Sequence, residues 1–198
     1  MGNKIVKLSE LDNSNLEEVN KIFEECFGHM FSGFTKDLDK LSKCFIESFI
    51  KDMVYVYLED GKALGFISAS SVGGRAIKIN KKLFKETFGK ARGSVFCWQI
   101  DKIMTKVIVK SENECYIDFL GVCKGARRKG IGQTLLNYIH KDKRYEKYVL
   151  EVLSKNPNAK ALYEKVGYKA IKHEKNIFMT LSRQGSSYVM EYNSPMGV

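Results

Sequence analysis

With 198 residues and 44% hydrophobic content, the chain is long enough for one domain with a sizeable core. It carries no apolar run approaching a membrane span and no signal-peptide pattern, so the expectation is a cytoplasmic protein without a membrane partner. Net charge is +10, from 33 Lys and Arg against 23 Asp and Glu, and such a surface attracts anions. The charge is spread out, with no arginine-rich arm and no aromatic-basic RNA motif, which disfavours a nucleic-acid partner. Five Cys without close pairs and three scattered His exclude a disulfide framework, and no zinc or other metal site is expected.

Lys4 to Leu8 alternates polar and apolar residues, which suits a first strand. Ser14-Asn15-Leu16-Glu17 reads as a capping box. Leu16, Val19, Ile22, Phe23, Cys26 and Phe27 then line one face of a helix. After a loop rich in Phe, Met and Gly from Gly28 to Thr35, a second helix carries Leu38, Leu41, Phe45 and Phe49. Met53 to Leu58 and Ala63 to Ala69 form an antiparallel hairpin around Glu59-Asp60-Gly61-Lys62. The least regular part runs from Ser71 to Asn113. Gly73-Gly74 breaks it, Asn80 caps a short helix with Leu83, Phe84 and Phe88 on one face, and Gly89 and Gly93 break again. Phe96, Ile100, Ile103 and Val107 then recur at helical spacing. The tail holds one strand-like piece, Ser187 to Tyr192.

The most informative stretch runs from Tyr116 to Ile139. Tyr116 to Val122 reads as a mostly buried strand interrupted by one acid, Asp118. From Ile131 the apolar residues Ile131, Leu135, Tyr138 and Ile139 recur at helical spacing. Between them lies a basic turn, Arg127-Arg128-Lys129-Gly130-Ile131-Gly132. Gly130 and Gly132 let the backbone come close to a ligand, and the helix start offers unpaired N–H groups to an anion. It is neither a dinucleotide fingerprint, since Leu135 stands where a third Gly is needed, nor a Walker loop, since no Gly-Lys-Ser or Gly-Lys-Thr follows. The arrangement reads as a pyrophosphate cradle.

A second motif follows an apolar strand that ends in Leu150-Glu151-Val152. Asn156 is placed as a helix N-cap and Pro157 fits the first helical position. Ala159, Leu162, Tyr163 and Val166 make one apolar face, and Gly167 closes the helix. Tyr168 opens the next strand, on which His173 reads as a surface residue.

Both motifs, in order and spacing, resemble the GNAT N-acetyltransferases. That family's acetyl-CoA loop has Gln or Arg, two residues, Gly, one residue, then Gly or Ala; Arg127, Gly130 and Gly132 match it. Its Asn-x-x-Ala-x-x-Leu-Tyr-x-x-x-Gly-Phe/Tyr segment matches from Asn156 to Tyr168. Lys124 stands where the family often has Pro. The resemblance implies an α/β fold over a single domain, 1–198: a mostly antiparallel sheet with splayed fourth and fifth strands, flanked by helices. The family needs only a short connection before the fourth strand, so 71–113 is expected to be a helical insertion bordering the acceptor pocket.

The implied activity is direct transfer of an acetyl group from acetyl-CoA, the co-substrate, to a primary amine on a small molecule or protein. The coenzyme is expected on Arg127, Arg128, Lys129, Gly130, Ile131 and Gly132. The backbone of Leu120 and Val122, with Asn156, is expected along the pantetheine arm. Tyr163 holds the family's general-acid position, because a phenol can protonate the leaving thiolate. For the base, Glu151 and Asp118 compete, with deprotonation through water a third route. Competing readings are a basic RNA- or DNA-binding module and a catalytically silent acyl-CoA binder. The acceptor and the oligomeric state are not legible, and a homodimer is compatible.

Overall fold

The computed structural model describes residues 2–104, 109–175 and 185–194, with the side chains of 102–104 excluded. Among the described residues seven strands form one sheet in the order β1-β2-β3-β4-β5-β7-β6. The strands are β1 (Lys4–Lys7), β2 (Val54–Glu59), β3 (Lys62–Ser70), β4 (Glu114–Val122), β5 (Lys147–Leu153), β6 (Lys169–Glu174) and β7 (Ser187–Asn193). Every neighbouring pair is antiparallel except β4 and β5, which run parallel. The helices are α1 (Asn13–Phe27), α2 (Leu38–Ile46), α3 (Lys81–Phe88), α4 (Lys90–Met104), α5 (Ile131–Ile139) and α6 (Pro157–Val166). The mixed sheet with flanking helices is the expected architecture.

The sheet divides the core in two. One side packs a phenylalanine-rich cluster, including Phe23, Phe45, Phe66, Phe84, Phe96 and Phe119, among α1, α2, α3 and α4. Its rings meet in stacked and edge-on pairs, such as Phe23 and Phe45 with centroids 4.9 Å apart. Such pairs add to the free energy of burial alone. The other side buries Ile117, Leu135, Leu136, Leu150, Val152 and Met190 beneath α5 and α6.

Local signals set most boundaries, and several differ from the sequence expectation. The α1 cap is Asp12, whose side chain accepts the Asn15 N–H at 2.9 Å. Ser14 therefore lies inside the helix, because Asp12 is the last extended residue and caps first. Gly89, at φ +85°, separates α3 from α4 as expected. Gly93 does not break the chain; it lies inside α4, where a Cβ would come within 2.6 Å of the Phe84 carbonyl oxygen on α3. Its missing side chain brings the two helices together. Phe49 is buried beyond the end of α2 and pairs as a bridge with Ile77. On α5 the buried face is Ile131, Gly132, Leu135, Leu136 and Ile139, whereas Tyr138 is exposed and meets the Tyr55 ring. The expected apolar positions Ile103 and Val107 lie outside the described side chains and residues.

Candidate active site

The site begins with an interruption in the sheet. β4 pairs with β5 from Glu114–Lys147 to Ile117–Leu150 and no further, although β4 continues to Val122 and β5 to Leu153. The cause is visible in the β3–β4 register. Ser68 pairs with Phe119 and Ala69 with Ile117, so Asp118 is the extra residue of a bulge. A bulge bends its strand and increases its twist, which carries the end of β4 away from β5. Cys123 N–H donates to the Leu64 carbonyl at 2.9 Å, facing β3. By strand alternation, Leu120 and Val122 turn their N–H and C=O groups away from β3, toward the opening. The Val122 carbonyl is engaged there by Arg127 Nε at 3.2 Å.

The turn after β4 holds two left-handed residues, Arg128 at φ +66° and Gly130 at φ +83°. A non-glycine residue is rarely left-handed, and such positions concentrate at functional sites. Gly130 is the N-cap of α5, and no side chain caps the helix. The first intrahelical bond is Thr134 N–H to the Gly130 carbonyl, at 2.9 Å. The amides of Ile131, Gly132 and Gln133 therefore have no partner within the helix. They open beside the exposed Arg127, Arg128 and Lys129. Arg128 Nη2 also donates to Asn158 Oδ1 at 3.1 Å, tying the turn to α6.

The two glycines play different parts. The space around a Cβ at Gly130 is open, so its role is the left-handed turn. A Cβ at Gly132 would lie 2.9 Å from Leu162 Cδ2, with Val122 and Leu120 methyl groups just beyond. Gly132 is buried and lets α5 approach α6 and β4; its amide, not its bare Cα, is what it can offer a ligand.

At the far side of the opening stands α6. Asn156 caps it through a bond from Ala159 N–H at 3.1 Å, Pro157 begins it, and Gly167 ends it in the left-handed region. Tyr163 lies on its buried face, 8% exposed, edge-on to Tyr168. Burial pushes its phenol well above the ordinary value, so it stays protonated across the working pH range.

The two candidate bases come directly after the last β4–β5 pair, Ile117 and Leu150. Tyr116 pairs with Val149, and two residues further along each strand come Asp118 and Glu151, on the same face. Burial, with the Glu151 and Asp118 carboxylates beside it, pushes the Tyr116 hydroxyl well up, and Arg75 opposes that rise. Asp118 is 1% exposed at its side chain. It accepts bonds from Arg75 Nε at 2.9 Å and Arg75 Nη2 at 2.5 Å, and from the Ser70 hydroxyl. Burial raises its pKa while Arg75 and Ser70 oppose that rise. Glu151 is half-buried on β5.

Arg75 is the residue that sequence reading missed, since nothing near it in the chain announces a partner 43 positions away. The signal that could have found it is Asp118 itself, because a buried carboxylate needs a cation. Val109, just before β4, packs on this same face against Tyr116, Val149 and Val189. His173 is exposed on β6 and stacks on Tyr188, with Nε2 2.7 Å from the buried Ser186 hydroxyl. Among the described residues no cluster of three metal-ligating side chains occurs, and no helix is long and apolar enough to cross a membrane.

Solved structures share this fold. An Ard1 from Thermoplasma volcanium superposes with a TM-score of 0.61 at 17% identity, covering 98% of this chain and 99% of that one. An N-acetyltransferase from Staphylococcus aureus Mu50 gives 0.64 at 15% identity, over 96% of this chain and 100% of that one. The ribosomal-protein-S18-alanine N-acetyltransferase from Escherichia coli gives 0.55 at 16% identity, over 99% and 96%. Among curated protein sequences none matches. The profile of the Acetyltransferase (GNAT) family matches residues 16–168, and the chain belongs to that family.

Proposed function

We propose that the protein is an acetyl-CoA-dependent N-acetyltransferase acting on a primary amine. The observation that carries this reading is the opening where β4 and β5 stop pairing, with the uncapped start of α5 after β4 and with Glu151 on β5 and Tyr163 on α6. The unpaired amides of Ile131, Gly132 and Gln133, the helix dipole and the basic turn fit a diphosphate. The outward-turned backbone of Leu120 fits an amide-bearing arm, and Asn156, beside the opening, is the second group for that arm. Bound acetyl-CoA supplies a thioester carbonyl that the amine attacks, and the CoA thiol leaves.

The chain's own residues handle the protons. Glu151 takes the proton that the amine loses as its nitrogen forms the new C–N bond. Tyr163 gives its proton to the sulfur as the C–S bond breaks, and a phenol kept neutral by burial is in the right form for that. Solvent then carries the proton from Glu151 back to Tyr163. Glu151 is favoured over Asp118 because it is half-buried, within reach of an incoming amine, whereas the Asp118 side chain is only 1% exposed beneath Arg75.

The test is calorimetry with acetyl-CoA, followed by free-thiol release with a panel of primary amines. Saturable binding with amine-dependent thiol release supports the reading. Binding without release from any amine would leave a coenzyme-binding protein, and no binding would remove the coenzyme from this site.

A further inference from the structure

Ser71–Gly74 closes a tight bridge just after β3, and Arg75 is the next residue. Its guanidinium covers the bulge of β4 from the Glu151 face. Nε and Nη2 both bond Asp118 Oδ1, and the same guanidinium lies 5.2 Å from the centroid of the Tyr116 ring. Ser70 completes the joint, since its hydroxyl donates to Asp118 Oδ2 and accepts the Ala76 N–H at 2.7 Å. The segment is then held to the rest of the sheet side by Ile50 N–H to the Ala76 carbonyl at 2.8 Å and Lys78 N–H to the Ser48 carbonyl at 2.8 Å. The pair is deeply placed, with Asp118 at 1% exposure and Arg75 at 20%.

A bulge residue has no partner in the ladder, so its conformation must be fixed by something else. Here that something is a planar fork, which constrains both distance and angle. Asp118 is also the point beyond which β4 leaves β5. We propose that Arg75 is a positioning residue for acetyl transfer: by clamping the bulged Asp118 it fixes the angle at which β4 leaves β5, and so places the thioester carbonyl against Glu151 and Tyr163. The inference rests on the acetyltransferase reading and adds to it a residue of the 71–113 insertion. The coenzyme's diphosphate anchor is at the α5 turn, built from other residues, so the clamp governs turnover far more than coenzyme affinity.

The experiment compares the native chain with Arg75→Ala and Arg75→Lys by calorimetry and steady-state rates. Arg75→Ala is predicted to bind acetyl-CoA at one per chain with little change in affinity, while kcat falls about 10–100-fold, the usual cost of a misplaced reacting atom. Guanidinium ion at millimolar, non-denaturing levels is predicted to restore part of that loss. Arg75→Lys keeps the charge but loses the fork, and its kcat is predicted to lie between the two. If Arg75→Ala does not fold, Arg75→Lys carries the comparison alone. Native kcat in a folded Arg75→Ala or Arg75→Lys overturns the clamp, as does a rate loss matched by an equal loss of binding stoichiometry, which means partial unfolding only. A native chain that binds acetyl-CoA but acetylates no amine overturns the acetyltransferase reading and the clamp's role with it.

Discussion

Replacing Gly132 by Leu asks which way the second glycine of the turn faces. The position of its Cβ is 2.9 Å from Leu162 Cδ2, 3.9 Å from Val122 Cγ2 and 4.0 Å from Leu120 Cδ2. The remainder of a leucine side chain has to enter a contact that is already filled. Overpacking of this kind costs about 1–3 kcal/mol, and exchanging Gly for a good helix former returns up to about 1 kcal/mol. At the middle of that range the balance is a loss of about 1 kcal/mol, or about 2–4 °C of melting temperature for a chain of this length. Gly132→Ala needs only a small swing of the half-buried Leu162, and its helix gain offsets the close contact to within about 1 kcal/mol. Thermal unfolding by circular dichroism, with acetyl-CoA calorimetry on both variants, reads these effects. The structure predicts a lower melting temperature for Gly132→Leu, and near-native melting with retained coenzyme affinity for Gly132→Ala. A Gly132→Leu variant that melts like the native chain yet binds no coenzyme would show that this glycine faces the ligand, and would refute the packing argument.

Three further perturbations follow from the charges. Burial lowers the His140 imidazole from 6.5 to about 4, against the stacked Tyr192 ring and the Tyr168 hydroxyl at 2.9 Å. The unfolded chain protonates first, so this contribution is complete above pH 6.5 and is lost as pH falls from there toward 4. With the ring partly open to water it amounts to about 1–2 kcal/mol, and denaturant titrations of His140→Gln are predicted to show a flatter stability profile over that range. A slope equal to the native one would remove His140 as the cause. For the proposed base, Glu151→Gln is predicted to cut kcat about 10²–10⁴-fold and flatten the acidic limb of the rate profile, with coenzyme affinity unchanged. Asp118→Asn is predicted to act first on stability, by about 3 kcal/mol, because it removes the charge of a buried ion pair with Arg75. The opposite pattern in rates would exchange the two roles.

The parts of the site written locally were legible in the sequence. A strand, a basic glycine turn and an apolar helix are contiguous from Tyr116 to Ile139. The Asn156 cap, Pro157 and Gly167 mark both ends of α6 by residue chemistry alone. What escaped depends on residues far apart. The bulge at Asp118 is a property of the register with β3, and the cation that balances it comes from a glycine-broken stretch without periodicity. Gly93 read as a breaker because the sequence does not show that α3 lies against it. Tyr138 matched the helical period of α5, but its turn of the helix looks toward Tyr55 and solvent instead of the sheet. The helices of the 71–113 stretch were partly legible from their caps and spacing, while the approach of Arg75 and Val109 to the Glu151 face was visible only in three dimensions.

The central claim is that Tyr163 serves acetyl transfer and is more than a packed aromatic ring. Tyr163→Phe keeps the ring against Tyr168 and the α6 core and removes only the phenolic oxygen, so melting and acetyl-CoA affinity are predicted to stay near native. Single-turnover rates of thiol release at saturating acetyl-CoA and amine isolate the chemical step. A fall of about 10²–10⁴-fold is predicted, smaller for acyl donors with a more acidic thiol. A single-turnover rate equal to that of the native protein would contradict it and return Tyr163 to the hydrophobic core.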